Sequence, residues 1–273
     1  MSIWNGQSPS TFRRYIIAQT FGKRKALLNF EVDMKTGKLI KDNFEEIEVE
    51  LKQSKDGLYY RPESSDQQML KDSNILNPRS DYFHVNPKDK VIMDCGANIG
   101  GFTNRAIKLG AKQVVAYEPE QHNFQMLIAN TQELGDKVIL NEAALIAADN
   151  LTISFWLNNS KRSSCSGNLK GSAKKKEFVV NALNFYVELE KYRPDLVKMD
   201  IEGGEYDILL DYEIPNFVKE LVIEIHHPSV KTLKVANKLF QQLVDQFGEP
   251  PESHVKKFIV FGKSTLTVAH FKR

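Results

Sequence analysis

The sequence of 273 residues is long enough for one large α/β domain, or a smaller one with an appendage, and its 41% hydrophobic and 26% charged residues exclude a disordered or fibrous protein. The formal net charge of +2 is too small to indicate nucleic-acid binding by itself, so any basic surface has to be local. No apolar run is long enough to cross a membrane, no secretory signal opens the sequence, and only two cysteines are present, so we expect a cytoplasmic protein.

Residues 1–85 differ in pattern from the rest of the chain. The segment STFRRYIIAQTF predicts a helix, and ALLNFEVD, the turn MKTGK and FEEIEVELK predict a β-hairpin or small antiparallel sheet. We expect an accessory region that either caps a binding site or only covers a sheet edge.

From residue 86 to residue 273, short β-rich runs alternate with amphipathic stretches, which is typical of a parallel sheet flanked by helices. This part is the predicted main domain. Its predicted helices are GGFTNRAIKLG, EQHNFQMLIANTQELG, NFYVELEKY and VKTLKVANKLFQQLVDQFG. Its predicted strands are KVIMD, KQVVAYEP, KVILNEAAL, LTISFWL, EFVVNAL, PDLVKMD, ELVIEIHH, KFIVFG and TLTVAHF.

A glycine-containing loop follows the strand KVIMD and opens the next helix. Asp94 ends the strand, and Gly96, Ala97, Asn98 and Gly100 follow it. Glycine lets backbone N–H groups and the helix N-terminus approach a ligand closely. The spacing differs from the dinucleotide-binding G-x-G-x-x-G, because Ala97 and Asn98 leave no second glycine beside a pyrophosphate. Since the Asp94 carboxylate is available for an ammonium group, the loop favours S-adenosylmethionine over a nicotinamide cofactor.

Two further strand ends supply candidate contacts for this cofactor. Glu118, followed by Pro119, comes about 20 residues after the glycine loop, where an acid grips both hydroxyls of a ribose. The alternative for Glu118 is a solvated loop acid. In NEAAL, the exit of the third strand, Ala143 is a candidate surface for the adenine ring, with Asn141 or Glu142 near its edge.

Five segments follow one another in a recognisable order: DCGANIGGFT, AYEPE, NEAAL, KMDIEGGEYDIL and VIEIHH. Through these segments the chain resembles the FkbM-type class I methyltransferases over roughly residues 64 to 262. The D-x-E-G-x-E element of KMDIEGGEYDIL carries the narrower part of this resemblance. It implies a Rossmann-like three-layer sandwich in which one strand of a mostly parallel seven-stranded sheet is antiparallel, near the edge. It also implies methylation of hydroxyl groups on sugars or secondary metabolites, without fixing the acceptor.

In such a sheet, ligands bind outside the carboxyl ends of the strands. We therefore expect Asp94, Glu118, Asp200 and His226 to converge on one rim, with Asp200 also near the cofactor. In the strand end EIHH only alternate residues can face the cleft, and we expect Glu224 and His226 to do so.

The acidic residues around Gly203 and Gly204 are candidates for contacts with the methyl acceptor, since a hydroxyl acceptor must lose a proton. Asp200, Glu202, Glu205 or His226 would act as base or orient the acceptor, and Lys198 would moderate the cluster by pairing with Asp200. The alternative is that Glu202 and Glu205 only complement the positive end of the next helix. A divalent metal is conceivable here, but nothing in the sequence demands one, so we predict none.

A long polar loop between LTISFWL and EFVVNAL contains six basic residues, Lys161, Arg162, Lys170, Lys174, Lys175 and Lys176. It is either a solvated loop or a binding segment for an acidic acceptor, such as a phosphorylated sugar or a nucleic-acid backbone. A second basic area contains Arg13, Arg14, Lys23, Arg24 and Lys25 but has no evident aromatic platform for stacked bases.

The sequence thus predicts an S-adenosylmethionine-dependent O-methyltransferase that acts on a sugar or another small acceptor and has no membrane partner. The alternatives are an RNA or DNA methyltransferase that uses the basic loop, and a non-catalytic module that binds S-adenosylmethionine.

Overall fold

The computed structural model describes residues 11–20, 23–33, 39–40, 49–149, 152–158, 175–227, 230–260 and 263–273. The α-helices of this part of the chain are α1 (Asp66–Asp72), α2 (Gly101–Lys108), α3 (Gln121–Thr131), α4 (Phe185–Tyr192), α5 (Glu205–Leu209) and α6 (Val230–Phe247). The strands are β1 (Thr11–Thr20), β2 (Lys23–Asp33), β3 (Leu39–Ile40), β4 (Val49–Gln53), β5 (Tyr59–Tyr60), β6 (Val91–Cys95), β7 (Gln113–Tyr117), β8 (Val138–Asn141), β9 (Ala144–Ile146), β10 (Thr152–Asn158), β11 (Lys175–Asn184), β12 (Leu196–Met199), β13 (Glu220–His226), β14 (Val255–Val260) and β15 (Lys263–Lys272).

Seven of these strands form the central sheet, in the order β14-β15-β13-β12-β6-β7-β8. The pairs from β13 to β8 are all parallel, whereas β15 is antiparallel to both of its neighbours. This is the mostly parallel seven-stranded sheet with one antiparallel strand near its edge, and it confirms the predicted class I methyltransferase fold. The carboxyl ends of β6, β7, β12 and β13 consequently meet at one edge.

The parallel strands β6, β7, β12 and β13 carry mainly buried apolar residues because helices cover both faces of the sheet. Successive side chains alternate between the faces, so that Ile92 packs towards α2 while Met93 packs towards α4, α5 and α6. Helix α3 covers the same face as α2, where Leu127 contacts Ala116 of β7 within one apolar cluster. The result is the predicted three-layer arrangement.

A second sheet, in the order β10-β11-β9, extends from the chain after β8. Strands β10 and β11 pair antiparallel, and β11 joins β9 in parallel through Ala182–Asn184. The two runs LTISFWL and EFVVNAL are therefore strands, as predicted, but they lie outside the central sheet.

The N-terminal sheet corrects one prediction. The segment predicted as a helix is the strand β1, which pairs antiparallel with β2 from Thr11 to Thr20. The segment carries Tyr15, Ile16 and Ile17, and β-branched and aromatic residues such as these favour strands, so pairing with β2 outweighs the weak helical periodicity. Strands β3, β4 and β5 complete the predicted small sheet, and the predicted turn MKTGK lies outside the described residues.

The residues just before position 86 are integrated with the main domain. Leu51, Leu58 and Leu70 share an apolar cluster with Ile99 and Met126. A second cluster joins Tyr82 and Val85 to α2 and the adjoining strands. The predicted division after residue 85 stays a prediction, but this segment contributes to the wall of the functional cavity, as described next. Within the described residues, no helix combines the length and apolarity needed to cross a membrane.

Candidate functional site

A cavity of about 760 Å³ lies at the carboxyl ends of the central strands. Its lining falls into two halves. The half beside β6 and β7 includes Gly96, Ala97, Asn98, Glu118, Pro119 and Ala143, six of the predicted cofactor contacts. The half beside β12 and β13 includes Asp200, Glu202, Glu224 and His226 from these strand ends. Residues 68–82 form a wall that borders both halves.

The glycine loop is fixed by backbone hydrogen bonds. The N–H groups of Gly96 and Ala97 both donate to the Tyr117 carbonyl, at 3.0 and 2.9 Å. The chain turns sharply because Gly96, Asn98 and Gly100 have φ values of 78°, 51° and 85°. Asn98 tolerates this conformation since its side-chain oxygen accepts the N–H of Ile99 at 2.8 Å.

Two loop glycines are required by close packing. A Cβ atom on Gly96 would lie 1.8 Å from the Asp200 carbonyl oxygen, so the loop and the chain after β12 approach each other as closely as backbones can. A Cβ atom on Gly100 would lie 2.8 Å from the Leu127 side chain. Gly100 therefore brings α2 against α3 and is not part of the cavity lining, although the sequence predicts a cofactor contact for it.

Glu118 links the end of β7 to the glycine loop. One carboxylate oxygen accepts the Asn98 N–H and the other accepts the Glu120 N–H, both at 2.9 Å. Burial raises the pKa of Glu118 to about 8, and the charge of Glu120 adds to this, whereas the two backbone hydrogen bonds oppose it. The alternative of a solvated loop acid does not hold, because only 5% of Glu118 is exposed and it faces the cavity.

Asp94 lies behind the cavity and not on its surface. It is fully buried, accepts a hydrogen bond from the Thr103 hydroxyl at 2.5 Å, and lies 3.2 Å from the Lys198 ammonium. Of the four residues predicted to converge on one rim, Glu118, Asp200 and His226 line the cavity, while Asp94 supports it from inside. A direct contact between Asp94 and the cofactor stays a prediction.

Lys198 is held in place by the loop that it supports. Its ammonium donates to the Gly96 carbonyl at 2.6 Å and is nearer to Asp94 than to Asp200, from which it is 4.0 Å away. Burial alone would lower the pKa of Lys198, but Asp94, Asp200 and Glu224 outweigh it and raise that pKa. Lys198 is therefore a cation whose closer partner is Asp94 and not the predicted Asp200, and its moderating role in the acidic cluster stays a prediction.

The acids after β12 separate into different environments. Asp200 and Glu202 line the cavity and are partly exposed, whereas Glu205, the first residue of α5, is completely buried outside its lining. The Glu205 carboxylate lies 3.0 Å from Nδ1 of His226, and that of Glu202 lies 3.5 Å from Nε2. The alternative that these acids only complement a helix N-terminus does not account for their shared histidine.

His226 is a cation in this arrangement. Burial favours its neutral form, but the hydrogen bond and charge of Glu205, with Glu202 and Asp200, raise its pKa to about 10. An imidazole already protonated at neutral pH is a poor proton acceptor, so the expectation that His226 is the catalytic base is not supported. The next residue, His227, packs against Thr267 at 3.1 Å, so Glu224 and His226 face the cavity, as the alternation of strand side chains predicts.

Glu224 has a partner that the sequence did not indicate. The Tyr82 hydroxyl donates to its carboxylate at 2.6 Å across 142 positions of sequence. Burial, together with the charge of Asp200, raises the pKa of Glu224 to about 8, although the Tyr82 hydrogen bond lowers it. No local pattern marks Tyr82 or its neighbour Asp81, which also lines the cavity, because only the fold brings them to β13.

Other predicted contacts fall elsewhere. The Asn141 carbonyl accepts the Glu118 N–H at 3.1 Å, and the Asn141 side-chain amide donates to the Ala116 carbonyl at 3.4 Å. Asn141 therefore stabilises the end of β7. Neither Asn141 nor Glu142 is part of the cavity lining. In the basic loop, residues 159–174 lie outside the described residues. For the second basic area and for Lys175 and Lys176, the structure describes only backbone, within β1, β2 and β11.

Comparison with solved structures gives matches of low identity. The C-terminal domain of precorrin-6Y C5,15-methyltransferase from Rhodobacter capsulatus is 12% identical, with 68% of this chain and 82% of that chain covered and a TM-score of 0.35. TrmK from M. capricolum in complex with S-adenosyl-homocysteine is also 12% identical, with 70% and 64% covered and a TM-score of 0.39. The ribosomal protein L11 methylase from Lactobacillus delbrueckii subsp. bulgaricus is 16% identical, with 68% and 71% covered and a TM-score of 0.33.

The family comparison is stronger. The model of the methyltransferase FkbM domain matches residues 94–248, which is more than half of the chain and contains the glycine loop, Glu118, the acidic cluster and His226. The central sheet has the topology expected for that family. The chain therefore belongs to the FkbM methyltransferase family and is an S-adenosylmethionine-dependent methyltransferase.

Proposed function

We propose that the protein transfers a methyl group from S-adenosylmethionine to a hydroxyl group of a sugar or another small polyhydroxylated acceptor. The observation that carries this proposal is the position of the Glu224–Tyr82 pair, which shares one cavity with the predicted cofactor contacts Gly96 and Glu118. A proton acceptor and a cofactor-binding loop thus face the same space.

The cofactor half fits S-adenosylmethionine in its chemistry. The Glu118 carboxylate faces the cavity with lone pairs available to ribose hydroxyls besides those that accept the two backbone N–H groups. Ala97, Pro119 and Ala143 offer small apolar surfaces for a flat base. When bound, S-adenosylmethionine supplies a methyl group on a positively charged sulfur, which is already activated for transfer.

The task left to the protein is alignment and removal of one proton. In this proposal Glu224 takes the proton of the acceptor hydroxyl in its ionised form, which forms more readily than neutral His226 because the pKa of Glu224 is about 8 and that of His226 about 10. Tyr82 positions the Glu224 carboxylate through their hydrogen bond. Lys198 and the Gly96 contact hold the cofactor loop against Asp200. His226 is not assigned this proton, because its ring is engaged by Glu205 and Glu202.

The cavity lining offers both acids and bases to an acceptor. The acids are Asp72, Asp81, Glu118, Asp200, Glu202 and Glu224, and the basic residues are Arg79, Lys198, His226 and Lys256. Burial raises the pKa of Glu118 and of Glu224 to about 8, which reduces the negative charge at neutral pH. Two of the cations are committed to the protein, because Lys198 donates to the Gly96 carbonyl and Lys256 donates to the Ser80 and Arg79 carbonyls. The carboxylates favour a polyhydroxylated acceptor, since sugar hydroxyls donate well to them.

The test is methyl transfer from methyl-labelled S-adenosylmethionine to a panel of mono- and oligosaccharides, with RNA and DNA in parallel. We expect label in saccharide, and we expect Glu224→Gln to slow transfer by about 100-fold or more while S-adenosylhomocysteine binding measured by calorimetry is retained. Tyr82→Phe should give a smaller loss, since the carboxylate remains but is less well positioned. Label in nucleic acid alone, or an unchanged rate in Glu224→Gln, would refute the proposal.

A further inference from the structure

We propose that Asp200, Glu202 and His226 form a binding site for a divalent cation, with Mn²⁺ the best match, on the acceptor side of the cavity. Cation binding follows from the geometry of these residues alone. The role assigned below to the bound cation, holding the acceptor hydroxyl, rests on the proposed function.

The three side chains supply ligand atoms at suitable separations. One atom of each lies within 4.8 Å of the others, and Nε2 of His226 is 3.5 Å from a Glu202 oxygen. Ligands of an octahedral cation at about 2.1 Å from the metal are about 3 Å apart, so small side-chain rotations bring the three atoms into place. All three residues are partly exposed and line the cavity, so a cation can reach them from solvent.

A buried carboxylate orients the histidine as in many metal sites. Nδ1 of His226 lies 3.0 Å from one oxygen of Glu205, which leaves Nε2 facing the carboxylates. Metal-binding histidines commonly donate their other ring N–H to a carboxylate in this way. Glu205 itself is fully buried, and its second oxygen has no hydrogen-bond partner in the part of the chain that the structure describes, which is costly for a buried carboxylate. A cation on the adjacent imidazole would compensate this buried negative charge.

Lys198 does not occupy the ligand position of Asp200. Its ammonium is directed to Asp94 and the Gly96 carbonyl, and its 4.0 Å distance from Asp200 is too long for a hydrogen bond. The Asp200 carboxylate can therefore serve as a cation ligand while Lys198 holds the glycine loop.

The ligand set indicates which cation fits. Two carboxylate oxygens and one imidazole nitrogen suit Mn²⁺ better than Mg²⁺, because Mg²⁺ prefers oxygen ligands throughout whereas Mn²⁺ tolerates a nitrogen ligand. Three protein ligands would leave coordination positions for water or an acceptor hydroxyl. A cation held there would make that hydroxyl more acidic and ease loss of its proton to ionised Glu224, so it would complement the proposed base.

The experiment is titration of the chelator-treated, desalted protein with Mn²⁺, in which the electron paramagnetic resonance signal of free Mn²⁺ is measured. We expect one Mn²⁺ to bind per chain, and Asp200→Asn and His226→Gln each to weaken binding by about tenfold or more. Asp81→Asn is the matched control, because it removes a carboxylate from the same cavity outside the cluster, and it should bind Mn²⁺ like the unchanged protein. Circular dichroism and thermal unfolding establish that each variant is folded.

Three results would count against the inference in different ways. Absence of saturable binding by the unchanged protein overturns it, and so does equal weakening in folded Asp81→Asn and Asp200→Asn, which would indicate only a diffuse acidic field. Methyl transfer that is unaffected by chelation would overturn the role assigned to the cation. In contrast, specific Mn²⁺ binding without methylation of any acceptor would refute the proposed function and leave the cation site standing.

Discussion

The contact between Gly96 and the chain after β12 gives the sharpest test of how the site is assembled. We predict that Gly96→Ala destabilises the protein and weakens cofactor binding together. The added methyl group would lie 1.8 Å from the Asp200 carbonyl oxygen and 2.9 Å from its carbon, both backbone atoms that no rotamer change can move. Either the glycine loop or the segment carrying Asp200 must therefore shift.

The expected magnitude has two parts. Gly96 has a φ of 78°, and holding an alanine there costs about 1 to 2 kcal/mol. Relief of the steric overlap adds roughly 1 to 3 kcal/mol, as for other overpacked sites. The sum, about 2 to 5 kcal/mol, is a large part of the stability of an ordinary domain, which is about 5 to 15 kcal/mol.

Gly248→Ala separates the two parts. Gly248 has a φ of 90°, but none of the described residues lies within 4 Å of an added Cβ, so this variant has only the backbone cost of about 1 to 2 kcal/mol. Urea unfolding measures the free energy of unfolding of both variants, and calorimetry with S-adenosylhomocysteine measures cofactor binding. We expect Gly96→Ala to lose at least tenfold in affinity and Gly248→Ala to bind normally. Equal destabilisation and normal binding in both would refute the close approach of loop and strand end.

Three further predictions concern charged groups. Glu118→Gln should weaken S-adenosylhomocysteine binding by about 10- to 100-fold in calorimetry above pH 8, where Glu118 is ionised, because a charge-assisted acceptor for hydroxyls is lost. Equal affinity at that pH would exclude Glu118 from the cofactor site. Asp94→Asn should lower the free energy of unfolding by about 3 kcal/mol, because the buried ammonium of Lys198 loses its charged partner. A double-mutant cycle with Lys198→Met should show coupling between the two positions, and strictly additive effects would contradict the ion pair. Burial opposes the charged form of Glu220, but a histidine and lysines around it lower its pKa to about 2, below its usual 4.5. Because the folded-state pKa is depressed, the stabilisation of the folded protein by ionised Glu220 is present above pH 4.5 and lost as the pH falls towards 2. In Glu220→Gln, the fall in the free energy of unfolding between these pH values should be smaller by roughly 1 to 3 kcal/mol. Identical pH dependence in both proteins would refute this prediction.

The cofactor half of the site could be predicted from the sequence because its parts are local. Gly96, Asn98 and Glu118 belong to consecutive strand ends of one β-α-β unit, and the geometry of such a unit fixes where those ends meet. The exceptions have a common cause. Asp94 and Gly100 are in the expected loop, but whether a side chain there faces the ligand or the interior depends on packing against Lys198 and α3, which no spacing reveals.

The acceptor half was less predictable because its contacts are distant in sequence. Tyr82 contacts Glu224 across 142 positions, and the protonation of His226 depends on Glu205, which precedes it by 21 positions on a different element. The sequence indicated that acids gather there but not which acid is buried and which faces the cavity. The misassigned N-terminal strand has a related explanation, since β1 is defined by its pairing with β2 and not by its own periodicity.

The two halves of the cavity thus differ in how the chain builds them, and this bears on acceptor choice. The predicted cofactor contacts lie at strand ends whose positions are set by the central sheet. A substitution at these positions therefore disturbs the backbone, as predicted for Gly96→Ala. A further wall comes from residues 68–82, which reach both halves, because Ser73 lies against Gly101 beside the glycine loop and Tyr82 donates to Glu224. Asp72 and Arg79 of this segment also line the cavity. Substituting these two side chains would change the shape and charge offered to an acceptor, while the glycine loop and the Glu224–Tyr82 pair keep their residues.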